Sequence, residues 1–260
     1  MLHALSLSEE KEYQENGFFV RRKVFQSHEV AKFIPAVEAS VIEAKELVRS
    51  GKTYMLDGKR FVDINSLTVQ FEPEKYSDTI KVIEPANQLH KVLDNLVRDA
   101  RIVNPIKGII GKKTIALWTN KLNLKSPKEG SGFGWHQDSP YWIHNSSHVD
   151  LLPNVYLGFD DANSDNGCFR VINKSHLKGC LPGIDNGTQL GGFYTNPDCF
   201  NLSDEVLLEV PAGSLVFFNP HIVHGSEPNK SDKPRRAFIM TYQPANNPML
   251  KSGLIDNIEV

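Results

Sequence analysis

The sequence predicts an antiparallel β sandwich or barrel flanked by helices, and three observations predict it. Apolar residues recur at helical spacing through the first hundred positions, and beyond about residue 112 the period shortens to that of strands. The strand-like runs are short and separated by clusters of Gly, Pro, Asn and Asp, a pattern that closes into layered all-β cores. The chain has 260 residues and no internal repeat or Pro/Ser-rich linker. The expectation is a single domain over 1–260, with a helical N-terminal part over about 1–112 and a β core over about 113–245.

The elements follow in order. Ser6-x-x-Glu9 forms a capping box ahead of a short acidic helix that Gly17 closes, and Phe18-Phe19-Val20 follows as a strand-like run. A second helix carries Val37, Val41, Ala44 and Val48 on one stripe and ends near Gly51, with Pro35 marking its start or a kink. A third begins near Pro85 and repeats Leu89, Val92, Leu93, Leu96 and Val97, a stripe wide enough to pack on a sheet. Strand-like runs then occupy 114–124, 154–159, 168–172, 205–210, 214–218 and 237–242. The longest irregular stretch, 182–203, holds four glycines and several aromatics. A loop of that length in a compact domain is a functional cover or is disordered.

Composition excludes several roles. With 29 basic and 31 acidic side chains, the balance is wrong for a protein that binds nucleic acid by neutralising phosphates. No apolar run is long enough to span a bilayer. Cys168, Cys180 and Cys199 are odd in number and show no C-x-x-C pairing, which argues against a disulfide framework or a zinc knuckle. The N-terminus lacks the basic start and apolar stretch of a signal peptide, so the expected location is a reducing cytoplasm.

Nine histidines remain to be explained, six of them between His136 and His224. In His136-Gln137-Asp138, imidazole and carboxylate stand two residues apart, on the same face of a strand, and can converge on one metal ion. His148-Val149-Asp150 repeats the triplet, so the pattern alone does not choose. A third ligand would complete the two-histidine, one-carboxylate face that suits non-haem Fe(II). His221 and His224 follow the apolar run 214–218 and an Asn219-Pro220 turn; three apart, they tend to face opposite ways, leaving one for the metal. Arg235-Arg236 opens the final run, and alternation points one of the pair inward, where a guanidinium fork would hold a buried carboxylate.

These residues resemble the phytanoyl-CoA dioxygenase family. The resemblance is carried by Trp135-His136-Gln137-Asp138-Ser139-Pro140-Tyr141-Trp142, by Asp160-Asp161-Ala162-Asn163 through Asn166-Gly167-Cys168 to Ser175-His176-Leu177-Lys178-Gly179, and by Gly213-Ser214-Leu215-Val216-Phe217-Phe218 and His224-Gly225-Ser226 to Arg235. Glu15-Asn16-Gly17-Phe18-Phe19-Val20 also looks like the family's N-terminal segment, so the likeness covers nearly the whole chain. It implies a double-stranded β-helix, a jelly-roll with helices packed outside. It implies an Fe(II)- and 2-oxoglutarate-dependent dioxygenase that consumes O2, oxidises a small-molecule substrate, most simply by hydroxylating an unactivated C–H bond, and releases succinate and carbon dioxide.

Position by position, the resemblance makes His136, Asp138 and His224 the metal ligands and Arg235 the co-substrate arginine, with Ser226, Asn123 and Lys125 as further co-substrate contacts. Asp138 stands where related halogenases carry a small residue, which implies an oxygen-type outcome. Tyr141, Trp142 and His148 become substrate candidates, with His144, Phe193 and Tyr194 as further groups near the pocket. His221 reads as a turn residue, and Asn166 and His176 as residues that hold the turn beside the site. Three alternatives compete: a non-catalytic jelly-roll binding protein, a zinc-dependent hydrolase using the same ligands, which leaves Arg235 unexplained, and an acyl-CoA thioester as substrate in place of a small metabolite.

Overall fold

The computed structural model describes residues 2–73 and 78–259. The first helix, α1 (Leu7–Asn16), starts at the Ser6–Glu9 capping box and stops at Gly17, whose φ of 86° is the left-handed conformation that favours glycine. After β1 (Phe18–Arg21) comes α2 (Ser27–Leu47), in which Pro35 lies inside the helix rather than at its start. Its Val37 and Ala44 are buried, with Val41 and Val48 packed against the same core.

The next segment departs from expectation. Where a helical part was predicted through about 112, four strands run in antiparallel succession: β2 (Lys52–Leu56), β3 (Lys59–Ile64), β4 (Leu67–Phe71) and β5 (Ile80–Glu84). The cause is local. Asp57-Gly58 takes positive φ at both residues, 47° and 75°, the turn geometry whose twist suits a two-residue hairpin, and Asn65 has φ 52° at the following turn. β4 then alternates buried Leu67, Val69 and Phe71 with less buried Thr68 and Gln70. Helices resume with α3 (Lys91–Leu96) and α4 (Ala100–Ile110), the latter capped by the Asp99 carboxylate and by Gly111 at φ 71°.

The remaining elements are β6 (Ile115–Lys125), β7 (Phe133–His136), α5 (Ser139–Trp142), β8 (Asn154–Gly158), β9 (Phe169–Ile172), β10 (Glu205–Leu208), β11 (Leu215–Phe218), β12 (His224–Ser226), β13 (Arg235–Pro244) and β14 (Asn257–Ile258). Among the described residues they form two sheets. The larger runs β1-β11-β8-β13-β6-β5-β4-β3-β2, with β14 beside β6, and the smaller runs β10-β9-β12-β7. All their pairings are antiparallel, the architecture of a jelly-roll with helices outside.

Strand alternation separates the two faces of the larger sheet. On β8, Val155 and Leu157 join the cluster that includes Val37, Leu93 and Val103 of the helices, while Tyr156 joins the opposite cluster. On β11, Leu215 and Phe217 take the helix side, and Val216 and Phe218 meet Phe169 and Val171 of the smaller sheet. Helices therefore cover one face, and the other closes over the space between the sheets. No helix among the described residues is long and apolar enough to cross a membrane.

Residues 182–203 form a folded cover built from single 3-10 turns at Gly191–Phe193, Pro197–Cys199 and Leu202–Asp204. The Asp57 carboxylate accepts the backbone N–H groups of Gln189 and Leu190, and the Thr195 N–H donates to Trp135 O at 2.9 Å. Lys59 bonds to the Tyr194 hydroxyl, so the β2–β3 hairpin and this cover are joined.

Candidate metal centre

Sheet pairing brings distant residues together. His224 on β12 is the register partner of His136 on β7, and their rings lie 4.2 Å apart centre to centre. Asp138 follows β7 at the head of α5, its backbone N–H held by Pro220 O at 3.1 Å. One ligand atom from each of His136, Asp138 and His224 falls within 4.8 Å of the others. That donor set is the face expected for non-haem iron.

The histidine tautomers follow from their partners. His136 Nδ1 is 2.7 Å from Gly134 O and His224 Nδ1 is 3.0 Å from Ile222 O. A carbonyl only accepts, so each Nδ1 carries the proton and each Nε2 keeps its lone pair for a metal. Burial, with His224 beside it, pushes the His136 imidazole down to about 3, and burial lowers His224 as well. Both rings are thus neutral, the form that ligates. Asp138 is oriented by a buried relay: Thr241 Oγ1 donates to Asn154 Oδ1 at 2.5 Å, and Asn154 Nδ2 donates to Asp138 Oδ2 at 3.0 Å.

The three groups line a cavity of about 350 Å³ between the sheets. Arg235, 3% exposed, reaches it from the start of β13, and its Nη2 donates to Gly167 O at 2.8 Å. Arg235 Nε, Asn123 Oδ1 and the Tyr156 hydroxyl are buried with no hydrogen-bond partner, and their residues all line the cavity. The donors among them, Arg235 Nε and the Tyr156 hydroxyl, are what a dicarboxylate would satisfy. Arg236 faces the other way and grips Asp160 at 2.9 and 2.8 Å.

Other expected site residues fall in different places. Ser226 is buried and lines the cavity, as does Tyr141, which stacks on Phe193 of the cover at 4.2 Å. Lys125 does not line it. Its ammonium is held by Ser131 O at 2.7 Å and Glu227 O at 2.6 Å, and burial together with the neighbouring Arg235 charge pushes it down to about 6. Trp142, expected at the substrate, is instead 1% exposed in a core cluster with Trp118 and Leu152, on the buried side of α5. His148 lies outside the cavity, its Nε2 3.3 Å from Gln243 Oε1. The second triplet is used structurally: Asp150 Oδ1 meets His221 Nε2 at 2.6 Å, and His221 Nδ1 meets Ser139 Oγ at 2.9 Å. His176 bonds to Gln14 O at 3.0 Å, bracing the end of α1, and Asn166 donates to Asp161 O at 2.7 Å beside the Gly167 that holds Arg235.

The cavity residues that sequence reading did not single out include Glu84, Lys121, Asn154 and Tyr156. Burial works against the Lys121 charge, but the carboxylates of Glu84 and Asp138 outweigh it and raise its pKa. Tyr156 and Asn154 had one available signal, their alternation along β8 with apolar core residues.

Residues 13–237 match the model of the phytanoyl-CoA dioxygenase (PhyH) family. The chain belongs to the phytanoyl-CoA dioxygenase family. Curated relatives extend the match. A probable alpha-ketoglutarate-dependent hypophosphite dioxygenase of Stutzerimonas stutzeri is 27% identical over 259 residues, covering 94% of this chain and 81% of the relative. A 2-aminoethylphosphonate dioxygenase from uncultured bacterium HF130_AEPn_1 is 30% identical over 158 residues, 59% of this chain and 55% of its own length. The fold is shared with EctD from S. alaskensis, solved with 2-oxoglutarate and 5-hydroxyectoine, at a TM-score of 0.72 and 19% identity over 98% of this chain and 82% of that one. As a member of the family, the protein is an Fe(II)- and 2-oxoglutarate-dependent dioxygenase.

Proposed function

We propose that His136, Asp138 and His224 hold the iron, that Arg235 takes the distal carboxylate of 2-oxoglutarate with Asn123 and Ser226 beside it, and that a small polar metabolite is oxidised on the Tyr141 side of the cavity. The observation that carries this reading is a neutral His/Asp/His donor set sharing one cavity with a buried arginine that has donors to spare. Iron and 2-oxoglutarate supply the oxidant, the co-substrate leaving as succinate and carbon dioxide. Everything else falls to the chain. The Gly134 and Ile222 carbonyls fix the imidazoles, the Thr241–Asn154 relay fixes Asp138, and Leu190, Phe193 and Tyr194 of the cover exclude water above the reacting atoms.

A cavity of about 350 Å³ must house co-substrate and substrate together, which favours a small metabolite over a long acyl thioester. The probable hypophosphite dioxygenase and the 2-aminoethylphosphonate dioxygenase among the relatives support that size range. Three free cysteines agree with a cytoplasmic location. A screen of small polar metabolites scored by succinate formation tests the reading: substrate-stimulated succinate with Fe(II) but not with Zn(II) is expected, and no succinate above the substrate-free background from any metabolite would overturn it.

A further inference from the structure

We propose that Glu84 and Lys121 form the substrate-recognition pair of this cavity and that the substrate is a small zwitterion, its cationic nitrogen held by Glu84 and its anionic group by Lys121. The inference rests on the dioxygenase reading above and adds the charge pattern of the substrate.

Glu84 follows Ile83 on β5, Lys121 precedes Leu122 on β6, and Ile83 and Leu122 are register partners, so the two charges stand side by side on adjoining strands. Both line the cavity. They lie away from the co-substrate end. Arg235 pairs across the sheet with Lys125 and Ile239 with Lys121, so Lys121 sits four positions along β6 from the level of Arg235, about 13 Å at strand spacing.

The protein leaves both groups incompletely matched. Among the described residues, the Lys121 ammonium makes no hydrogen bond and no ion pair; it faces the rings of Trp142 at 5.6 Å and Tyr141 at 6.0 Å. Glu84 spends Oε1 on the Thr119 hydroxyl at 2.7 Å, and its second oxygen has no partner among those residues. The two are not within ion-pair distance of each other. Both side chains are half-buried and line the cavity, so a ligand carrying the complementary charges can take up the hydrogen-bonding capacity they leave open.

The pair carries one charge of each sign, and the other lysines of the cavity are already engaged, Lys59 by the Tyr194 hydroxyl and Lys81 by Ser131 Oγ and Gly132 O. A simple acid bound at Lys121 would bring its charge beside Glu84, and a simple amine at Glu84 would meet Lys121; a zwitterion avoids both repulsions. Directly neighbouring side chains on adjacent strands have Cβ atoms about 5 Å apart, a spacing that a short zwitterion bridges. Phe61, Leu190 and Phe193 supply apolar surface for the carbon body between the charges.

Calorimetry under anaerobic conditions, on protein loaded with Fe(II) and 2-oxoglutarate, tests this with four probes of one chain length: 5-aminopentanoate, pentanoate, pentylamine and pentanol. The aminopentanoate is expected to bind at least about tenfold tighter than any other probe. Glu84→Gln should weaken aminopentanoate about 10- to 100-fold while leaving pentanoate no weaker, and Lys121→Met should weaken both acids. Lys121→Arg, which keeps the charge, should retain the preference. Equal affinities across the probes, no binding by any of them, or equal effects of both variants on all four would overturn the assignment. Failure of the dioxygenase reading itself is separately visible, because the wild-type sample would then show no iron–2-oxoglutarate absorption band.

Discussion

Replacing Arg235 by alanine separates the co-substrate reading from a purely structural one. Of the five N–H donors on a guanidinium, Arg235 spends one on Gly167 O among the described residues, and its buried Nε has no partner. Enough donors therefore remain to take a carboxylate in the parallel fashion that arginine favours. Losing such a pair costs about 2–4 kcal/mol, which is roughly a 30- to 700-fold rise in the 2-oxoglutarate concentration required. Arg236→Ala is the control. That side chain holds Asp160 on the opposite face of β13, and its removal should lower the melting temperature without changing 2-oxoglutarate affinity. Both quantities come from titrating 2-oxoglutarate into anaerobic Fe(II) protein and from thermal melts of each variant. Equal losses of affinity in the two variants would mean that the side chain entering the cavity is not the one binding the co-substrate.

Further outcomes follow from the same geometry. Asn154→Ala removes the amide that orients Asp138 and should weaken Fe(II) binding about 10- to 100-fold by metal titration, an effect that unchanged affinity would contradict. Trp142→Ala should cost about 3–5 kcal/mol in denaturant unfolding, because the ring is 1% exposed and packs edge-on against Trp118 at 6.4 Å; a loss under about 1 kcal/mol would return Trp142 to the cavity wall. The Arg21 guanidinium and the Ser6 cap hold the Glu9 carboxyl down from 4.5 to about 2. Its stabilisation is therefore complete above pH 4.5 and lost as pH falls towards 2. Glu9→Gln should be less stable than wild type by about 1–2 kcal/mol at pH 7, with the gap closing across that window in pH-dependent melts.

The helices and barrel strands were legible because each carries a local signal: the Ser6–Glu9 box, the Val37–Ala44 stripe, and the alternation in 214–218 that sends Phe217 to the helices and Phe218 to the cavity. The hairpins β2–β5 were not read, although Asp57-Gly58 was a usable turn signal. The helix α4 was obscured by Pro105 and Gly108 inside it.

At the site, spacing narrowed the histidines and the family likeness separated two triplets of the same His-x-Asp pattern. The physical reason they differ is nonlocal. His136 meets His224 only through the β7–β12 pairing, whereas His148 lies outside the cavity and Asp150 is consumed by His221. Lys125 was read inward from its parity with Asn123, but a long side chain can turn back to nearby carbonyls, and this one does. Glu84 and Lys121 gave no sequence signal, since their proximity depends on β5 extending the barrel sheet.

The most direct measurement is the visible absorption of the anaerobic protein with Fe(II) and 2-oxoglutarate. The wild type should develop a weak charge-transfer band that is absent from the Asp138→Ala, His224→Ala double variant. No band in the wild type, or an undiminished band in the double variant, would contradict the assignment of the metal centre to His136, Asp138 and His224.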